Sequence, residues 1–143
     1  MNPAFESDEK LMEMVETILF LREEITKKDL NDVEKFADKL FKKFDIDVEF
    51  TKHFLERCND ARNGKPITVS ELIRLFKQTF AQAGKKIAEM GADAQAVITD
   101  LQTDLNLPFV LNYDPKNKEL ELVSKTILRK KNFSTSNDKI AIK

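Results

Sequence analysis

Leu107-Pro108-Phe109-Val110-Leu111-Asn112-Tyr113, then Asp114-Pro115-Lys116-Asn117, then Glu119 to Arg129: this stretch decides the fold class. The first run is apolar and aromatic and reads as a strand. Pro108 near its start suits an edge or the beginning of a strand, because proline has no N–H to give to a ladder. Asp-Pro-Lys-Asn is turn chemistry, with Asn117 able to take the left-handed conformation. The run after it is rich in Leu, Val, Thr and Ile. Together these predict a β-hairpin inside an antiparallel sheet of three or four strands. Just upstream, Ala96-Val97-Ile98-Thr99-Asp100-Leu101 reads as either strand or helix.

Towards the N-terminus the apolar period changes from two to that of a helix. Leu11, Met14, Val15, Ile18, Leu19, Leu21 and Ile25 mark one helix over 8–27. Asn31 with Glu34 three residues on has the capping-box pattern for a second helix, with Val33, Phe36, Ala37, Leu40, Phe41 and Phe44 as its stripe. The two should pair as a hairpin whose apolar stripe packs on the rest of the domain or on a second copy. Ile46–Phe50 alternates and suits a brief strand. Thr51 is placed to cap a third helix, running to about Arg62. Asn63-Gly64-Lys65-Pro66 is a turn, and Thr68 with Glu71 is another capping box. The fourth helix carries Val69, Leu72, Ile73, Phe76 and Phe80, and Gly84 is expected to end it. The expected fold is α+β, with N-terminal helices packed with a small C-terminal antiparallel sheet. Residues 1–45 would be an acidic helical hairpin, 46–131 the core and 132–143 a flexible tail, all of one domain.

The chain has 143 residues, 41% hydrophobic and 34% charged, which suits one globular domain able to bury a core. Its net charge of −1 is unevenly spread: residues 1–50 hold 8 Lys/Arg against 14 Asp/Glu, and residues 115–143 hold 8 against 3. A basic C-terminal region attracts phosphates. The single cysteine forms no internal disulfide and fits a reducing compartment. The acidic start lacks the basic region of a signal peptide, and Leu11–Leu21 carries Glu13 and Glu16, so no membrane span is expected and the expected location is cytoplasmic. One histidine and one cysteine exclude His-rich zinc sites and cysteine-based fingers. No Gly-rich phosphate loop or G-x-S-x-G elbow is present. No cofactor is expected.

His53 is the single histidine, a side chain that can trade a proton near neutral pH. On a helix beginning after Thr51, Arg57 lies at i+4 and Asp60 at i+7, one polar stripe beside the apolar stripe of Phe54, Cys58 and Ala61. His53 and Arg57 are either an ordinary exposed helix face or a workable pair for phosphodiester chemistry, the arginine holding a phosphate with two donors. Cys58 falls on the apolar stripe and reads as a small core hydrophobe. By the period of two, the last strand sets Lys125 and Arg129 on one face with Val123 and Ile127, and Lys130 and Lys131 follow. That face is either an electropositive groove, where Tyr113 and Phe133 stack bases, or a charged outer strand that blocks edge pairing.

Phe50-Thr51-Lys52-His53-Phe54-Leu55-Glu56-Arg57 resembles the stretch around the active-site histidine of the RegB-like phage endoribonucleases, relatives of the RelE/ParE-like toxins. The family pattern, aromatic-x-x-His-x-Leu-acidic-Arg, is matched at His53 and Arg57. The turn at 63–66, the helix at Glu71–Phe76 and the strands at Ile98–Leu101, Phe109–Leu111 and Leu122–Arg129 are similar in order, so the resemblance covers about residues 46–131. The chain is also similar to uncharacterised proteins of large tailed phages. Where the family has a second histidine after Leu-Phe, this chain has Lys77. The resemblance implies single-stranded RNA as partner and a metal-independent endoribonuclease leaving 2′,3′-cyclic phosphate ends. His53 would be the acid–base group, Arg57 would neutralise the phosphate, and Lys77 and Arg129 would position the backbone. Lys125, Lys130, Lys131 and Tyr113 would add RNA contacts. The alternative is a non-catalytic phage accessory or virion-associated binding protein on the same scaffold, with a homodimer or protein partner engaged through the N-terminal helices.

Overall fold

The computed structural model describes residues 24–143. The first helix predicted above, with Glu13, Glu16 and Glu23, lies almost wholly outside them. The first described helix, α1 (Lys27–Phe41), starts one turn before the expected Asn31. Thr26 caps it: its hydroxyl accepts from the Asp29 N–H while the Asp29 carboxylate accepts from the Thr26 N–H. Leu30, Val33, Ala37 and Phe41 form its buried stripe. A short 3₁₀ turn (Lys42–Phe44) and Asp45 in the left-handed region (φ 55°) lead into β1 (Ile46–Phe50).

The expected long third helix is one short helix, α2 (Phe54–Cys58), followed by a 3₁₀ turn (Ala61–Asn63). Thr51 does not cap it; its hydroxyl is buried without a partner, and His53 stands at the N-cap with no side-chain bond. Asp60 ends the helix by accepting from the Arg62 N–H and starting the 3₁₀ turn. The Thr68–Glu71 capping box opens α3 (Val69–Met90) as expected. That helix runs through Gly84 and stops at Gly91 (φ 81°). A glycine inside a helix costs about 1 kcal/mol against alanine. Here the Phe44 ring fills the space, 2.8 Å from where a Cβ would stand.

The described strands are β2 (Gln95–Asp100), β3 (Leu105–Asp114), β4 (Glu119–Ser124), β5 (Leu128–Arg129) and β6 (Asp138–Ile142). The sheet is larger than predicted and mixed, with order β1-β4-β3-β2-β6 and β5 beside β3. The β2–β3–β4 meander is antiparallel, but β1 lies parallel to β4 and β6 parallel to β2. The expected tail therefore supplies an edge strand, because Ile140 and Ile142 bury on the same face as Ile98. That face also carries Ile46, Val48, Leu122, Leu111, Phe109 and Leu107, and α1 and α3 cover it.

Pro108 sits in the central strand, where a proline is normally excluded. Its carbonyl points to the β4 side, where the Ser124 hydroxyl donates to it (2.7 Å). The missing N–H would point the same way. The neighbouring chain leaves the ladder at that place: β4 ends at Ser124 and β5 begins at Leu128. The pairing also slips. Val110 is opposite Val123, but Leu105 is opposite Arg129 rather than Leu128, so one extra residue is inserted. A one-residue slip turns each later side chain to the opposite face. Val123 is on the face of the sheet turned away from α1 and α3, whereas Ile127 is buried and Arg129 turns toward the helices. The expected common face for Val123, Lys125, Ile127 and Arg129 does not form.

The outer edge of β1 is closed by α1. Asp38 accepts from the Val48 N–H (2.6 Å) and Glu34, one turn earlier, from the Phe50 N–H (3.2 Å). Burial, opposed by the Val48 amide and aided by a hydrogen bond with Asp47 and its charge, pushes the Asp38 carboxyl up to about 7. The folded chain thus binds a proton here that the unfolded chain releases near pH 4, so this contribution to stability falls as pH rises from about 4 to 7 and is level above that. Asp38→Asn keeps the acceptor for Val48 and removes the titration. It should flatten that fall and make the protein more stable than wild type at pH 8 by about 1 kcal/mol, well below the full linkage value because the group keeps contact with solvent. Urea unfolding of both proteins at pH 5 and pH 8 measures it.

Candidate functional site

The bulge between β4 and β5 forms one wall of a cleft of about 580 Å³. Residues 126–130 line that wall, and Arg57, Asp60, Arg62 and Asn63 line the other. The stacked rings of Phe50 and Phe54 (centroids 4.2 Å apart), with Phe54 fully buried, anchor the start of α2. Arg57 is therefore carried outward at the end of a short, fixed helix. Asn63 holds the two walls together. Its amide donates to the Arg57 and Cys58 carbonyls (2.9 and 3.3 Å), and its oxygen accepts from the Arg129 N–H (3.0 Å).

Arg129 braces the cleft from below. Its two terminal nitrogens bond both Glu71 oxygens at 2.7 Å, and they also donate to the Thr103 and Pro66 carbonyls at 2.9 Å. Burial pushes Glu71 up, but the bonds and charge of Arg129 and the Thr68 N–H outweigh it and hold the carboxyl below its usual range. One side chain thus ties β5, the start of α3, the 64–68 turn and the β2–β3 loop. Being consumed in this way, Arg129 is not a free phosphate ligand.

The exposed charges differ from those expected. Arg57 and Lys130 come together in the cleft, and Arg62, which the sequence did not single out, joins them. Asp60 sits between the two arginines, bonded to Arg62 (2.7 Å) and 3.7 Å from Arg57. The hydrogen bonds of Arg62, then its charge and that of Arg57, bring Asp60 down to about 2. The Asp60-x-Arg62 spacing, with the side chain turning back onto the next-but-one N–H, was the one local signal for this cluster.

His53 is exposed, with Nδ1 3.5 Å from Glu56, and it does not line the cleft. It stands one helical turn before Arg57, its carbonyl accepting from the Arg57 N–H (3.1 Å). Lys77 is exposed on α3 and outside the cleft. Tyr113 is exposed at the opposite end of β3, opposite Leu120, seven residues from Asn106, where β5 pairs. Lys125 borders a separate notch of about 430 Å³ with Pro108, Val110 and Val123 on the sheet face turned away from α1 and α3. Lys131 is exposed beyond β5. Cys58 is buried in the core, and burial pushes its thiol up to about 12. Among the described residues no helix is long and apolar enough to cross a membrane, and no group of three or more His, Cys, Asp or Glu is placed to hold a metal ion.

Comparison with protein-family models, with curated proteins and with solved structures finds no match.

The brace has a measurable weight. Glu71→Ala leaves the Arg129 guanidinium buried without its carboxylate and removes half of the α3 capping box. It should destabilise the protein by about 3 kcal/mol, the lower end for a buried pair because this one retains some solvent contact. Glu71→Gln, which keeps the shape and one acceptor, should cost less. Urea denaturation ranks the two variants against wild type.

Proposed function

We propose that the chain binds single-stranded RNA in the cleft between α2 and the β4–β5 bulge. The observation that carries this reading is the convergence of Arg57, Arg62 and Lys130 around a space of nucleotide size that, among the described residues, is lined by a single carboxylate, Asp60. Guanidinium groups suit phosphate because two parallel N–H donors match two oxygens. A half-open cleft of this volume takes a nucleotide or two of an unpaired strand, the form of RNA whose bases are free to enter a pocket. The resemblance of residues 50–57 to the RegB-like stretch supports the same reading, with Arg57 in common.

One observation favours a second reading, metal-independent cleavage: His53 stands a turn from the phosphate-binding arginine. RNA supplies its own nucleophile, the 2′-hydroxyl, so a single base beside a neutralised phosphate is a minimal machine. In that reading Arg57 keeps its role at the phosphate, and Arg62 takes the positioning role first given to Lys77 and Arg129. Because His53 stands outside the cleft lining, turnover should be slow.

Fluorescence anisotropy with a short unstructured RNA tests the first reading. Binding should weaken steeply as salt rises, and Arg57→Ala or Arg62→Ala should each weaken it about five- to tenfold and lower the salt slope by about one phosphate contact. An RNA that fails to bind at low salt would rule the reading out. Incubating RNA with wild type and with His53→Ala in EDTA tests the second: slow cleavage ending in 2′,3′-cyclic phosphate is expected from wild type alone, and equal cleavage by both proteins removes His53 from the chemistry.

A further inference from the structure

Asp60 is an anion already seated in an anion site. Its carboxylate accepts from the Arg62 N–H (2.9 Å) and from the Arg62 side chain, and it lies 3.7 Å from Arg57. A carboxylate shows a guanidinium the same two-oxygen edge that a phosphate does. A ligand phosphate that engages both arginines must therefore displace Asp60 or share them with it. Asp60 is tethered, so it holds its place without the loss of translational freedom that a free ligand bears. A phosphodiester carries one negative charge and gains little by replacing another single charge. A terminal phosphate monoester carries about −1.5 to −2 at pH 7 and has three acceptor oxygens. It keeps a Coulomb advantage over the resident carboxylate.

Arg129 lines the same cleft but is braced on Glu71, and its buried Nε–H has no acceptor among the described residues. Lys130, exposed on the same wall, adds a cation with no carboxylate bonded to it among the described residues.

We propose that Asp60 is a built-in competitor for this site, so that the cleft selects a terminal phosphate monoester of RNA over an internal phosphodiester. This rests on the reading of the cleft as an RNA site.

The test compares RNA pentamers that end in a 5′-phosphate, a 3′-phosphate or hydroxyls only, bound to wild type and to Asp60→Asn, which keeps an acceptor for the Arg62 N–H. Wild type should bind a phosphate-ended pentamer about tenfold more tightly than the hydroxyl-ended one. Asp60→Asn should bind the hydroxyl-ended pentamer about fivefold more tightly than wild type does and narrow the preference to about two- to threefold. Equal binding of all ends by wild type, or no gain for the hydroxyl-ended pentamer in Asp60→Asn, overturns the proposal. Asp60→Ser, which retains a capping hydroxyl, replaces the variant if circular dichroism shows that Asp60→Asn misfolds. Inorganic pyrophosphate separates the two levels. If it binds while every RNA is ignored, the RNA reading fails, and tighter pyrophosphate binding by Asp60→Asn still supports the competitor while unchanged binding refutes it. If none of these probes binds, both fail.

Discussion

A missing N–H in the middle of the sheet sets the shape of everything around the cleft. Pro108 gives its central strand one position that cannot be paired, and the neighbouring chain responds by leaving the ladder between Ser124 and Leu128. The break inserts one residue and reverses which face each later side chain points to. Without that reversal Arg129 would stand with Val123 on the face turned away from α1 and α3. With it, Arg129 reaches under the sheet to Glu71, and the bulged segment rises as a wall opposite α2. The Ser124 hydroxyl, by donating to the Pro108 carbonyl, satisfies the half of the peptide that the lost ladder leaves open.

The Arg129–Glu71 pair then converts a local backbone accident into a fixed geometry. A bidentate pair between nearly buried groups does not by itself argue for high stability, since desolvation offsets much of the attraction. Its contribution here is register: the guanidinium also bonds Thr103 and Pro66, so four segments meet at one planar group. Glu71 serves two structures at once, capping α3 through Thr68 and holding Arg129. The other side of the molecule has the opposite electrostatics. Glu34 and Asp38 lie along the β1 edge, and Asp47, Glu49 and Glu121 lie on the sheet face beside it. Burial, and after it their mutual repulsion, raises Glu34, Asp38 and Glu121 above their usual range. The carboxylates at that edge do for β1 what a further strand would do, which keeps the edge from pairing with another chain.

Local signals in the sequence were read well where the partners are near in the chain. The Thr68–Glu71 box marked the start of α3, Asn63-Gly64 the turn before it, and the apolar run at 107–113 most of β3. Three signals of the same kind misled. Asn31 with Glu34 has capping-box spacing, but Thr26 with Asp29 has it too and comes first, leaving Glu34 free to take the Phe50 amide. Gly84 resembles a helix end but is a contact point for Phe44. Asp138–Ile142 is too short and too polar to stand out, and it becomes a strand only because β2 offers an open edge and the core accepts Ile140 and Ile142. Of the candidate site, Arg57 and Lys130 were legible as cations and Asp60 as a member of the polar stripe with His53 and Arg57, while Arg62 was not singled out because its importance lies in what stands across the cleft.

The sequence by itself determined the fold class, the long capped helix and the hairpin, because each depends on residues within a few positions of one another, whereas Pro108, expected at an edge or a strand entry, stands inside the central strand. Tertiary structure decided the parallel placement of β1 beside β4, the one-residue slip after Pro108, and therefore whether each basic side chain faces water or a carboxylate. Period-two reasoning assumes an unbroken ladder. A single inserted residue reverses the parity, and the bond that fixes the new parity joins Glu71 to Arg129, 58 positions apart, through a contact no local pattern encodes.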